Sequence, residues 1–149
     1  MQLNWILKKF DDLTAAELYA IMQLRNEVFV VEQNCAYQDA DGKDQKSYHF
    51  MGWDKKKLAA YTRIIPKGIS YTEASIGRVV TSPQYRRTGL GKELMELCIS
   101  NTFNLFNCNE IKIGAQLYLK TFYEDLGFLQ CSEEYLEDNI PHIEMLFTK

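Results

Sequence analysis

The chain has 149 residues, 46% hydrophobic and 25% charged, and 17 Lys and Arg against 20 Asp and Glu give a net charge of −3. That length suits one domain over residues 1–149 with a core that needs no disulfide or metal, and the charge balance argues against a nucleic-acid partner. No apolar run reaches the ~20 residues of a membrane span, and the start Met1-Gln2-Leu3-Asn4-Trp5 lacks the zones of a signal peptide, so the expected setting is cytoplasmic, with no membrane partner.

Leu3 to Phe10 alternates loosely and predicts a first strand. Thr14, with Glu17 three residues on, predicts an N-cap and capping box. The helix that follows carries Leu18, Ile21, Met22, Leu24, Val28, Phe29 and Val31 and should end near Asn34. Gln33 to Lys46 is rich in Asp, Asn, Gln and Gly and predicts an exposed loop. Ser47 to Asp54 and Leu58 to Ile65 predict a hairpin, and Ala74 to Thr81 a further strand. A helix from Gly89 to about Asn104, a strand from Glu110 to Ala115 and a helix from Leu117 to Leu126 stopped by Gly127 come next. Phe128 to Tyr135 and His142 to Phe147 close the chain as strands around a turn at Asp138-Asn139. This order fits an α/β or α+β domain with a mixed sheet covered by helices. Cys35, Cys98, Cys108 and Cys131 show no C-x-x-C spacing and no neighbouring His. They read as small core residues, and no metal is expected.

The stretch Arg78-Val79-Val80-Thr81-Ser82-Pro83-Gln84-Tyr85-Arg86-Arg87-Thr88-Gly89-Leu90-Gly91-Lys92-Glu93-Leu94 carries the chemistry. A β-branched strand enters a Pro-marked turn, then two arginines, two glycines and an amphipathic helix. The first N–H groups of a helix lack internal partners and sit at the positive end of its dipole. Glycine lets a phosphate approach the backbone, and Arg86, Arg87 and Lys92 add full charge. The dinucleotide fingerprint fails because position 94 is Leu. The P-loop fails because Glu93 follows Gly91-Lys92 and no Gly stands five places before Gly91. What remains is [Arg/Gln]-x-x-Gly-x-[Gly/Ala], met by Arg86, Gly89 and Gly91.

Here the chain resembles the GNAT acetyltransferase superfamily, whose pyrophosphate loop for coenzyme A has this form. The segment Gln116 to Phe128 is similar to the later GNAT motif ending Phe-Tyr-x-x-x-Gly-Phe. The strings Phe29-Val30-Val31-Glu32-Gln33-Asn34-Cys35, Tyr37, Asp39, Asp41, Asp44, His49 and Ile140-Pro141-His142-Ile143-x-Met145 look like the ElaA branch. The resemblance implies a GNAT fold, a mixed, mostly antiparallel sheet of six to seven strands flanked by about four helices. It implies acetyl-CoA as cosubstrate, held by Val79, Val80, Thr81, Arg86, Arg87, Thr88, Gly89, Leu90, Gly91, Lys92, Gln116 and Tyr123. Gln116 stands where the family often has Asn.

Direct attack of an amine on the thioester is the implied reaction, with a small-molecule or peptide amine as acceptor. Tyr123 is then the candidate general acid, protonated at neutral pH. The Val80 N–H is the candidate donor to the carbonyl oxygen. An alkyl amine must lose a proton before attack; the candidate bases are Glu27, Glu32, His49 and His142, with Glu32 and His49 ahead. His142, following Pro141 at a strand start, suits a structural role. Asp39, Asp41 and Asp44 depart from an EF-hand and read as a solvated acidic loop, or as an attractor of a cationic substrate. A catalytically silent CoA-binding module is the alternative function; the presence of Tyr123 speaks for the enzyme. A homodimer through exposed strand edges stays open.

Overall fold

The computed structural model describes residues 2–149. Two four-stranded sheets make the frame. The first runs β1 (Asn4–Lys9), β2 (Tyr48–Asp54), β3 (Lys57–Ile65), β4 (Ser75–Thr81), each antiparallel to the next. In the second, β8 (Ile140–Thr148) is central, flanked on one side by β5 (Glu110–Gln116) and on the other by the short β6 (Leu129–Gln130) and β7 (Tyr135–Glu137). One parallel bridge, Ala74 to Ile111, joins the sheets. The α/β class, the antiparallel bias and the mixed sheet are as expected. There are eight strands because Phe128–Tyr135 breaks at Cys131–Glu134. There the Ser132 hydroxyl accepts the Glu144 N–H at 2.8 Å, a side-chain substitute for a ladder bond.

Three α-helices cover the frame: α1 (Ala15–Arg25), α2 (Leu90–Phe106) and α3 (Lys120–Leu126). The Thr14–Glu17 capping box forms, with both reciprocal bonds present at 2.8 and 3.0 Å. The helix expected to run unbroken to Asn34 instead changes at Asn26. Asn26–Glu32 is a π-helix, with wider bonds such as Gln33 N–H to Val28 C=O. Its wider turn re-aims the residues that follow, a habit of functional sites. The turn at Asp138 and Asn139 has φ +50 and +67, both left-handed, as a two-residue hairpin requires. On one face of the first sheet Ile21, Leu24 and Val28 pack with Met51, Tyr61 and Val80. On the other, Leu94, Met95 and Cys98 of α2 share a core with Phe50, Ala60 and Ile64.

The loop is exposed along most of its length, as expected, but two of its acids turn inward. Asp39 and Asp44 are only 5% and 7% accessible, and their partners are three arginines. Arg25, fully buried, donates through Nε to Asp39 at 2.8 Å and through one terminal nitrogen to Asp44 at 2.7 Å. Arg63 grips Asp41 with both terminal nitrogens at 2.8 Å and shares Asp44. Arg78 reaches Asp39 at 2.9 Å and Asp41 at 3.3 Å. Three positive and three negative charges cancel. The acids neutralise the protein's own arginines, so Asp39 and Asp44 are neither solvated nor available as bait for a cation. Burial alone would raise the Asp44 carboxyl, but bonds from Arg25 and Arg63 hold it below the usual carboxylate range. Asp41, also burdened by burial, is held well below that range by Arg63 and Arg78.

Truncating one partner of such a network strands its opposite charges. Arg25→Ala is expected to lower the unfolding free energy by about 3–5 kcal/mol in urea titrations at neutral pH. Because Asp41 and Asp44 have depressed folded-state values, their contribution is complete above about pH 4 and fades as pH falls toward those lower values. A loss under 1 kcal/mol for Arg25→Ala would mean the arginines are dispensable.

Candidate active site

Past the Ala74–Ile111 bridge, where the Lys112 N–H donates to the Ala74 carbonyl at 2.9 Å, no further pairing of β4 with β5 occurs among the described residues. The strands diverge and open a cavity of about 970 Å³. Residues 76–81 line one side, and Ile113, Gly114 and Gln116 the other. A bulge in β4 bends its wall: Gly77 and Val80 pair with Arg63 and Tyr61, so Arg78 and Val79 together face Thr62. Arg78 has φ +53, a left-handed backbone rare for a side-chain-bearing residue.

The register decides which peptide groups face the opening. Ser82 N–H donates to Ala59 C=O at 2.8 Å. Antiparallel pairs alternate, so the Tyr61–Val80 pair is hydrogen-bonded and the Val80 N–H is turned toward β3. Thr81, opposite Ala60, is the non-bonded position, and its N–H faces the gap. The Thr81 amide, and not the Val80 amide expected from the sequence, is therefore the one left free toward the gap. Val79, Val80 and Thr81 all line the cavity.

Of the loop before α2, Arg86 alone lines that cavity; Arg87, Thr88 and Gly89, with Leu90, Gly91 and Lys92 of the helix start, stand outside its lining. Arg87 and Gly89 have φ +63 and +80, and Leu90 starts the helix. A Cβ on Gly89 would meet nothing within 4 Å, so the space before the helix is open. The Thr88 hydroxyl donates to Tyr85 C=O at 2.6 Å and ties the loop to the preceding turn. The Leu90 side chain is buried in the core, Gly91 lies beside Phe122, and Lys92 is 71% exposed, 4.0 Å from Glu96. The donor set (free amides of the first turn, Arg86, Arg87, and no acid within 86–92) fits a diphosphate. Glu32 intrudes on it from the end of the π-helix, holding Arg86 with bonds of 2.5 and 2.8 Å. Arg86 pulls the Glu32 carboxyl below its ordinary value, which makes it a poor proton acceptor near neutrality. Its expected role as base is not favoured by this arrangement.

Tyr123 of α3 lines the same cavity and is 6% accessible, packed edge-on to Phe122 and Phe128. Burial raises its phenol well above the ordinary tyrosine value, so it stays protonated through neutral pH. Gln116 and Gln33 exchange reciprocal amide bonds of 3.2 and 3.3 Å across the cavity. His49 is excluded. It has no accessible surface, its Nδ1 lies 2.7 Å from the Tyr61 hydroxyl and its Nε2 2.9 Å from the Asp44 carbonyl. Burial lowers its affinity for a proton, and the ring braces the buried network instead of facing a substrate. Glu27 is exposed and away from the cavity.

A family model for the acetyltransferase (GNAT) domain matches residues 11–149. Protein ElaA of Escherichia coli is 39% identical over 145 residues, covering 96% of this chain and 95% of that protein. The crystal structure of an acyl-CoA N-acyltransferase from Pseudomonas aeruginosa superimposes with a TM-score of 0.94 at 42% identity, over 99% of this chain and 100% of that one. The crystal structure of Escherichia coli ElaA gives 0.92 at 37% identity, over 98% and 99%. This chain belongs to the GNAT acetyltransferase family. It is an ElaA-like acyltransferase, and a CoA thioester is the family's cosubstrate.

Four further residues that line the cavity, Gln33, Arg78, Tyr71 and Glu137, have no role assigned from the sequence. Arg78 left a trace, a lone charge inside a β-branched strand. Gln33 left none, because its partner Gln116 is 83 residues away. Glu32→Gln would free Arg86, and calorimetry should then show CoA binding tightened by about two- to fivefold, the range of an exposed ion pair. Unchanged affinity would mean that Glu32 does not compete with the ligand.

Proposed function

We propose that residues 1–149 form an acetyl-CoA-dependent N-acetyltransferase acting on a primary amine of a small molecule or peptide. The observation that carries this reading is the continuity of one cavity from Arg86, four residues before α2, along β4 to Tyr123. Bound acetyl-CoA supplies an acyl group activated as a thioester. The first-turn amides of α2, with Arg86 and Arg87, bind diphosphate oxygens. The Thr81 N–H offers a hydrogen bond to a carbonyl in the gap, and losing such a donor typically costs about 3 kcal/mol of transition-state stabilisation. Tyr123 holds a proton on its phenolic oxygen, available to a departing thiolate. The test is a panel of amines, peptides and aminoglycosides read by release of free thiol; hydrolysis alone, with no acetylated amine in any reaction, would overturn the reading.

Gly89→Glu would put a carboxylate in the diphosphate space and force a side chain onto a left-handed backbone. Acetyl-CoA binding by calorimetry should disappear while circular dichroism keeps the folded spectrum; retained affinity would count against the loop. Tyr123→Phe should lower kcat by about 10²-fold with acetyl-CoA affinity nearly unchanged. Full turnover in that variant would remove Tyr123 as the acid.

A further inference from the structure

β7 and β8 supply one wall of the cavity through Glu137, Ile140 and His142. His142 of β8 stands between its strand partners Gln116 of β5 and Tyr135 of β7. Paired residues across a sheet share a face, so these three form a row. Tyr135 stacks on the imidazole at 5.9 Å with the planes 27° apart. His142 Nδ1 lies 2.7 Å from the Ile140 carbonyl oxygen. A carbonyl only accepts, so Nδ1 carries the hydrogen and the neutral ring keeps its lone pair on Nε2. Nε2 is 3.5 Å from the Glu137 carboxylate, which is 59% exposed. Two residues along β5, Gly114 makes room: a Cβ there would stand 3.0 Å from the Tyr71 hydroxyl and 3.1 Å from that of Tyr135. His142, Glu137, Tyr71 and Gln116 line the cavity that Tyr123 and β4 also line.

We propose that His142 is the catalytic base that takes a proton from a primary ammonium acceptor, whose cationic head is received by the Glu137 carboxylate and the Tyr71 phenol. The inference rests on the transferase reading above. The proton passes from the ammonium nitrogen to Nε2 and leaves the amine lone pair free. The imidazolium so formed lies against Glu137 and returns its proton to water after turnover. A carboxylate beside the nitrogen that becomes charged, and a backbone carbonyl fixing the other, is the arrangement a base needs. His49 offers the opposite, with both nitrogens committed inside the protein. The other ionisable groups around His142 are Tyr135 and, through it, Tyr71; Glu144 on β8, paired with Lys112 at 3.2 Å; and Cys35 and Asp138 at the turn.

The chain has two histidines, so imidazole nitrogen NMR shows two rings, and His142→Gln assigns them. In the CoA complex, His142 is expected as the Nδ1–H tautomer when neutral, and its signals should move on addition of n-butylamine while those of His49 stay. Glu137→Gln should weaken that response several-fold. On the fastest amine of the panel, His142→Gln should lose about 10²-fold or more in kcat and the acidic limb of the rate–pH profile, at unchanged CoA affinity. An Nε2–H tautomer, signals unmoved by the amine, or full rate with the limb intact in His142→Gln would overturn the base while leaving the transferase reading in place. Failure of CoA itself to shift the Thr81 and Gly89 amides would remove the transferase reading and this inference together.

Discussion

The buried exchange of charge between Arg25, Arg63 and Arg78 and the acids Asp39, Asp41 and Asp44 is the constraint on which the rest of the molecule depends. It joins a helix, two strands and a fourteen-residue loop with no secondary structure of consequence. Arg78 is the member that matters for the site. Its guanidinium, clamped by Asp39 and Asp41 and lying over the Tyr37 ring, fixes a backbone that would otherwise relax. That backbone is the bulge, in the stretch of β4 that leaves β5 unpaired. A network that serves stability in the core thus reaches the strand that lines the cavity.

Legibility in the sequence followed the range of the interactions involved. The capping box, the glycine stop after α3 and the hairpin at Asp138-Asn139 are decided within a few residues and were read correctly. The loop Arg86 to Lys92 was legible for the same reason, since a turn, two glycines and a helix start are contiguous. The π-helix was not, because nothing in Asn26–Glu32 distinguishes a wider turn from an ordinary one before Gln33 meets Gln116. The two inward acids of the loop were misread because Asp39 and Asp44 look solvated until their arginines arrive from three other elements. The amide left free toward the gap is that of Thr81, one residue beyond the Val80 expected from the sequence. Strand pairing alternates with period two, and only the register, fixed by the Ser82–Ala59 bond, says which amide is free.

The two histidines divide along the same line. His49 seemed the better candidate from its place in a strand, and its ring is sealed against Tyr61 and the Asp44 carbonyl. His142 looked structural because Pro141 precedes it, yet it opens onto the cavity beside Glu137. Glu32 and Arg86 show a related economy. Glu32, at the end of the π-helix, is the counter-ion that Arg86 keeps at the cavity edge.

Position 78 carries two demands that no other side chain meets together. Glycine would relieve the left-handed backbone but leave Asp39 to Arg25 and Asp41 to Arg63, one positive charge short. Lysine would keep the charge but lose the planar fork that reaches a carboxylate and a carbonyl at once. Mutational drift at this codon therefore has no gentle path: a first step that eases the strain unbalances the core, and one that keeps the balance loosens the bend. The bulge and the charge balance are inherited as a single indivisible character.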